Sequence, residues 1–436
     1  MLGPKLKDMG VVGAGGAGFP TYVKAGSRVE YMLANGAECE PLVHKDFELM
    51  KHFPAEIVSG MKHMMESVQA QKGMFGIKEK NRDAILSIQP EAKAQGISLV
   101  PLGDFYPSGD EYELVYAATG RLVPPGGLPL QVGSVVNNVE TLYNVHHAAA
   151  GTPVTRKFLS VAGAVRRPCS FWTPVGTPFR DLIELAGGAV PREFGIFVSG
   201  LMMGSLTFDP DDVVTKTTAG LIILPKEHYL VARKSQPREA MNRIGKSACD
   251  QCSYCTELCP RYLLGYEVQP HKVMRSLGFT ATGSRHWNQW GELCCACGLC
   301  TLYACPEDLF PKEACDDAKG DLRSAGVKFV QRRPVRVHPM KESRRVPLHM
   351  LRRRLKVEDY ERETPFVPLE HVPKVVRLKL LQHVGKPASA IVAKGAAVRR
   401  NQAIARVGEK DLGAGIHSSI DGTVTEVTGT YIEVRS

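Results

Sequence analysis

Two stretches, CDQCSYCTELCP at residues 249–260 and CCACGLCTLYACP at residues 294–306, decide how the middle of this chain must fold. The first reads Cys249-x2-Cys252-x2-Cys255-x3-Cys259-Pro260. The second reads Cys294-x2-Cys297-x2-Cys300-x4-Cys305-Pro306, with Cys295 as an extra thiol beside it. Three thiolates spaced by three residues wrap one turn of chain around an iron–sulfur cube, and a Cys-Pro arriving from a distance closes the fourth corner. In two-cluster ferredoxins the fourth cysteine ligates the other cube, so either Cys259 serves the second cluster and Cys305 the first, or each closes its own run. Structural zinc needs two Cys-x2-Cys knuckles across a longer loop and no third cysteine at the same spacing. The reading is therefore two 4Fe-4S clusters, on short helices of a ferredoxin-like domain over residues 237–325. The x4 before Cys305 departs from the run: either a bulge absorbs the extra residue or Cys295 replaces Cys294 as ligand. Cys39, Cys169 and Cys315 read as small buried apolar residues.

The whole chain has 436 residues, 44% of them hydrophobic and 23% charged, which are ordinary globular values that exclude a disordered or fibrous chain. Twelve cysteines crowded mostly into those two runs indicate metal and a reducing compartment rather than a disulfide scaffold. No window approaches the ~20 continuous apolar residues of a spanning helix, and the first twenty residues lack the apolar core of a signal peptide. A soluble cytoplasmic protein is expected, one able to sit inside a protein shell.

Upstream of the cysteines the pattern is layered α/β. Residues 31–35 (YMLAN), 73–77 and 98–102 read as strands, residues 82–88 as a helix, and residues 54–70 as a helix with Met61, Met64, Met65 and Val68 on one face. This gives a Rossmann-like domain over residues 1–150. Residues 155–230 read as strand 158–165, helix 178–187 and strands 194–200 and 221–225, a β-grasp arrangement. Residues 326–373 form a basic connector, and residues 374–436 a compact run of short strands with glycine turns.

Four motifs in the first domain carry chemistry. Gly13-Ala14-Gly15-Gly16-Ala17-Gly18-Phe19-Pro20-Thr21, followed by Lys24, lets backbone N–H groups approach a phosphate or a flat ring with no Cβ in the way. Asn35-Gly36-Ala37-Glu38-Cys39-Glu40-Pro41 follows a strand. Tyr106-Pro107-Ser108-Gly109-Asp110-Glu111 and Asn137-Asn138-Val139-Glu140-Thr141 come later. As a set these resemble the flavin subunit of respiratory complex I and its relatives, including the C subunit of the Rnf complex. With the double cluster and the order of modules, the resemblance extends along the chain to the cobalamin reductases of propanediol-utilisation microcompartments.

That resemblance implies FMN as cofactor. Gly13, Gly15, Gly16, Gly18 and Lys24 would line the flavin, Asn35 and Glu38 would edge it, and Asn137, Asn138 and Thr141 would hold its ribityl chain or phosphate. Phe19, Glu40 and Glu111 match positions that meet the nicotinamide nucleotide. It also implies a β-grasp domain of the soluble-ligand-binding type, electron flow from NADH to cob(III)alamin or cob(II)alamin, and a shell protein or adenosyltransferase as partner. Alternatives within the same resemblance are an NADH:ferredoxin or quinone input subunit and a non-catalytic electron-transfer or docking subunit. Ala14 and Ala37 stand where complex I relatives have arginine and aspartate. The chain starts almost at the glycine loop, where relatives carry a helical extension; a missing start or a lost encapsulation signal would each account for that.

The tail resembles the barrel-sandwich fold of biotinyl and lipoyl domains. Its turn, His417-Ser418-Ser419-Ile420-Asp421-Gly422, lacks the lysine that carries a swinging cofactor. The surplus of 55 Lys+Arg over 45 Asp+Glu, a net +10, is concentrated in the connector at Arg332, Arg333, Arg336, Arg344, Arg345, Arg352, Arg353 and Arg354. No nucleic-acid recognition module accompanies them. Leu348, Leu351 and Leu355 suggest a helix that packs one face and leaves its arginines in water.

Overall fold

The computed structural model describes residues 2–278 and 289–436. The first domain is built on four parallel strands in the order Ile97–Leu102, Lys72–Lys78, Tyr31–Gly36 and Ser134–Asn138. Helices Pro54–Ser67 and Val139–Ala149 cover one face, where Met61, Met64 and Val68 are fully buried with Phe75 and Leu142. Helix Glu111–Thr119 covers the other through Leu114 and Val115. Each such side chain contributes roughly 1.5–3 kcal/mol by leaving water, so the methionine stripe is core.

The expected helix at 82–88 runs further, over Arg82–Ala94 and through Pro90. Pro90 has no N–H to give the carbonyl of Leu86, and Leu86 is 69% exposed, so the lost bond falls on the solvent side of the helix. A short helix, Leu2–Asp8, precedes the glycine loop and was not expected.

The second domain is a five-stranded mixed sheet ordered Cys169–Pro174, Arg156–Gly163, Gly220–Pro225, Phe194–Val198 and Ser205–Thr207, with helix Phe179–Leu185 packed on it. That is a β-grasp layout with two strands more than the sequence indicated. Cys169 is buried in its core. The cluster domain consists of short helices, among them Arg238–Ala248, Tyr254–Glu257, Pro270–Ser276 and Pro311–Ser324. The last domain pairs Val375–Lys379, Tyr431–Arg435, Gly422–Val427 and Ala397–Val398 in one sheet, and three shorter strands in a second.

The connector is not a free linker. Val346–Pro347 pairs antiparallel with Phe105–Tyr106 of the first domain, and Phe366 packs against Phe53 and Phe158 where the first two domains meet. Helix Leu348–Arg354 buries Leu348 and Leu351 as the spacing implied. Its arginines are not all left to water: Arg352 pairs with Glu361 at 3.0 Å and Arg354 with Asp308 at 2.7 Å. Arg344 meets Glu257 at 3.3 Å, and Arg345 lies over the Phe105 ring. These connector arginines thus serve as contacts within the chain and are not a free basic stripe, while the net charge of +10 is unchanged.

Candidate flavin and cluster site

A cavity of about 840 Å³ opens where the carboxyl ends of strands Tyr31–Gly36 and Ser134–Asn138 meet the β-grasp and cluster domains. Ligands of open α/β sheets bind at that end. Gly13, Gly15, Gly16, Phe19, Lys24, Asn35, Glu38, Glu40, Glu111, Asn137, Asn138 and Thr141 all line it. Gly18 does not. It turns the loop back at φ +65°, its N–H bonding the Gly13 carbonyl and its own carbonyl accepting from Val384.

The loop leaves room by having no side chains. A Cβ on Gly15 would come within 3.2 Å of Asn138, whereas Gly16, at φ +119°, faces open space. Thr141 accepts the Ala14 N–H at 2.9 Å and so fixes the loop to helix Val139–Ala149. The two asparagines differ. Asn138 caps that helix by accepting the Glu140 N–H at 3.0 Å and gives its amide to Asp46 at 2.7 Å. Asn137 has a buried amide nitrogen with no partner among the described residues, as has the hydroxyl of Ser134. Unpaired buried donors are costly, and two of them lining a cavity beside a glycine cradle suit a ligand rich in oxygen acceptors. The residues fit FMN on that ground.

Other expected contacts are partly spent on the protein. Asn35 donates to the Gly109 carbonyl at 2.9 Å and accepts from Ala37, tying NGAECEP to YPSGDE. Lys24 reaches the Val136 carbonyl at 2.7 Å and Glu111 at 3.3 Å. Glu40 is held by the backbone N–H groups of Met202 and Met203 at 3.0 and 2.9 Å, so it latches the β-grasp loop to the cavity.

Beneath the loop lies a buried network centred on Glu140 of the Asn137–Thr141 motif, whose lysine partners no motif announced. Lys45 pairs with Asp46 and, at 2.9 Å, with Glu140. Lys157, from the β-grasp domain, pairs with the same Glu140 and donates to the Ala14 carbonyl at 3.0 Å. Burial brings the Lys157 ammonium down to about 8, while burial, and then Asp46, hold the Glu38 carboxyl up at about 8. It was not anticipated from the sequence that the cluster domain helps to wall the cavity. Cys295, Cys297 and Arg261 line it, with Arg261 stacked over Tyr112 at 3.6 Å and paired with Asp110 at 3.0 Å.

The eight expected cluster thiols fall into two crossed sets. Cys252 and Cys255 lie within electrostatic reach of Cys305, and Cys305 of Cys249. Cys259 lies within electrostatic reach of Cys294 and Cys295, and Cys297 and Cys300 within that of Cys259. The extra residue before Cys305 is taken up by a π-helical turn, Cys300–Ala304, a device that absorbs one residue without ending a helix. Backbone and side-chain N–H groups already point at sulfur: Ala296 to Cys294 at 3.3 Å, Leu309 to Cys305 at 3.4 Å and Gln251 to Cys249 at 3.1 Å. Such bonds suit cluster thiolates. Among the described residues no three side chains are placed to hold a single metal ion. A cube spreads its thiolates wider than one tetrahedral ion does, and these crossed sets fit a cube better than zinc.

Comparison with known proteins decides the family. Over 432 residues the chain is 40% identical to the cobalamin reductase PduS of Salmonella typhimurium strain LT2, across 99% of this chain and 95% of that one. The chain belongs to the cobalamin reductase family. Within it, residues 6–147 match the Nuo51 FMN-binding domain, 158–204 the SLBB domain, 248–310 a 4Fe-4S dicluster domain and 358–436 the RnfC barrel sandwich hybrid domain. An FMN-binding domain and a 4Fe-4S dicluster domain in one chain make it a flavin iron–sulfur oxidoreductase. A component of the Na(+)-translocating ferredoxin:NAD(+) oxidoreductase complex of Acetobacterium woodii is 34% identical over 59% of this chain and 57% of its own length. In fold, the chain is similar to a chain of an NAD+-reducing [NiFe]-hydrogenase, with a TM-score of 0.50 at 20% identity, covering 81% of this chain and 66% of the other. Among the described residues no helix is long and apolar enough to cross a membrane.

Proposed function

We propose that this chain transfers electrons from NADH, through FMN and two 4Fe-4S clusters, to cob(III)alamin or cob(II)alamin, and so supports a coenzyme B12-dependent diol dehydratase inside a bacterial microcompartment. The observation that carries the reading is that Cys295 and Cys297 wall the same cavity as the glycine loop. Bound FMN supplies the change from hydride to single electrons, and bound clusters relay those electrons one at a time. The residues do the positioning. Gly15 and Gly16 leave space for a flat ring or phosphate, Asn137 and Ser134 offer unpaired donors, and Phe19 and Glu111 line the same cavity, where they would meet a nucleotide. Cysteines 249, 252, 255 and 305 would hold one cluster, and cysteines 259, 297 and 300 with Cys294 or Cys295 the other.

The relatives support the corrinoid as acceptor through PduS and leave ferredoxin as the competing acceptor through the Rnf-type relative. A shell protein or an adenosyltransferase is the partner that a microcompartment reductase would meet. Anaerobic protein loaded with FMN, iron and sulfide is expected to bleach on adding NADH and to reduce hydroxocobalamin. Bleaching that passes electrons to ferredoxin alone would overturn the corrinoid assignment, and absence of bleaching would overturn the NADH assignment.

A further inference from the structure

The thiols that touch the cavity and the thiols that touch the surface belong to different sets. Cys297 lines the cavity with Cys295, and its carbonyl accepts the buried Tyr106 hydroxyl at 2.7 Å, so this part of the second run is built into the flavin wall. Cys259, Cys294, Cys297 and Cys300 are all buried. None of Cys249, Cys252, Cys255 and Cys305 lines the cavity. In that set Cys252 is exposed and Cys249 half-buried. The two sets meet where helix Tyr254–Glu257, which carries Cys255, packs against the turn Cys300–Ala304. Gln251 and Ser253, at φ +62° and +66°, turn the loop outward on either side of Cys252, and the neighbouring Tyr254 is 53% exposed.

We infer that the clusters work in a fixed order: electrons leave the cavity through the Cys297 wall to the set of Cys259, Cys297 and Cys300, cross at Cys300 and Cys255, and exit at the exposed Cys252 edge, where the corrinoid meets Tyr254. The inference rests on the NADH-to-corrinoid reading and adds its direction and exit. The balance is complete: NADH gives up a hydride, two electrons and one proton. Each electron reduces one Co(III) to Co(II), so one NADH yields NAD+, one proton and two reduced corrinoids. Electron transfer weakens steeply with distance. An acceptor too large to enter the interior must therefore approach Cys252, the one exposed thiol of these two sets among the described residues.

Cys297→Ala and Cys252→Ala separate the steps, followed by flavin absorbance, iron content, cluster EPR and reduction of hydroxocobalamin. With Cys297→Ala, scored per FMN bound because this residue also walls the cavity, NADH is expected to bleach the flavin that remains while the remaining cluster, still reducible by dithionite, stays oxidised and cobalamin reduction per bound FMN falls about tenfold or more. With Cys252→Ala, NADH is expected to reduce the remaining cluster while cobalamin reduction falls to a similar degree. Wild-type cobalamin reduction by Cys252→Ala protein whose iron content shows that cluster missing would overturn the order. Tyr254→Ala removes no ligand. It is expected to raise the half-saturating hydroxocobalamin concentration severalfold with bleaching and both EPR signals unchanged, and an unchanged concentration places the exit elsewhere. A wild-type protein that bleaches with NADH but never reduces cobalamin would instead sink the underlying functional reading.

Discussion

Asn137 and Asn138 are adjacent in the chain, yet one is consumed by the fold and the other is free for a ligand. Replacing Asn138 removes a helix cap and a partner of Asp46, so its loss reads as instability. Replacing Asn137 removes only the unpaired amide in the cavity. Asn137→Leu is expected to weaken FMN binding by about 1–3 kcal/mol, from about fivefold to over a hundredfold in the dissociation constant, with little change in melting temperature. Flavin fluorescence titration measures this, and an unaltered constant would mean that the amide does not meet the cofactor. Glu38 gives a pH signature. Burial holds its folded value at about 8, above the ordinary 4.5, so between those values the folded chain keeps a proton that the unfolded chain has lost. Through this group stability falls as pH rises across that window and levels off above it. Glu38→Gln is expected to flatten that decline in melting temperature measured from about pH 5 to about pH 8.

At the scale of elements, helices Pro54–Ser67 and Val139–Ala149 cross at a glycine. A Cβ on Gly60 would stand 1.8 Å from the Leu142 carbonyl oxygen, so any side chain there forces the helices apart. Gly60→Ala is expected to cost roughly 1–3 kcal/mol, read as a lower melting temperature, and a neutral result would show that the pair slides freely. The methionine stripe of the first of these helices was legible because four apolar side chains repeat at helical spacing. The thiol runs were legible for a similar reason, since cluster geometry is written in local spacing. Strand Cys169–Pro174 was missed because its residues lie buried on both faces and show no alternation. The two-residue pairing of Val346–Pro347 with Phe105–Tyr106 is too short to have a period and joins distant parts of the chain. The pairing of Lys45 and Lys157 with Glu140 was invisible for the same reason: the lysines come from two domains, and each alone reads as a surface charge.

Across the whole molecule, one side chain joins three modules. Lys216, in the β-grasp domain, is buried and donates at 2.8 Å to the Gly10 carbonyl beside the flavin loop and at 2.8 Å to the Gly415 carbonyl of the barrel-sandwich domain. Its backbone N–H reaches Gln382 at 2.9 Å. The barrel-sandwich hairpin is fixed against the same domain, Ser419 donating to the Val175 carbonyl at 2.6 Å, so it serves as a brace and not as a moving arm. Burial lowers the Lys216 ammonium to about 7, and with it burial and the Lys216 charge hold the nearby His417 down at about 3. Arg406 adds to the positive field there. Between about 7 and the ordinary 10.5 the unfolded chain binds a proton that the folded chain has released, so through Lys216 stability rises with pH over that range. Below about 7 the lysine is charged in both states and the dependence vanishes. Lys216→Met should leave both carbonyls without their donor, at roughly 1–3 kcal/mol for each buried group, and should abolish the alkaline rise. Melting temperature measured against pH in the wild type and the variant checks both effects. A variant that melts lower but keeps the rise would assign the titration to another group while leaving the brace intact.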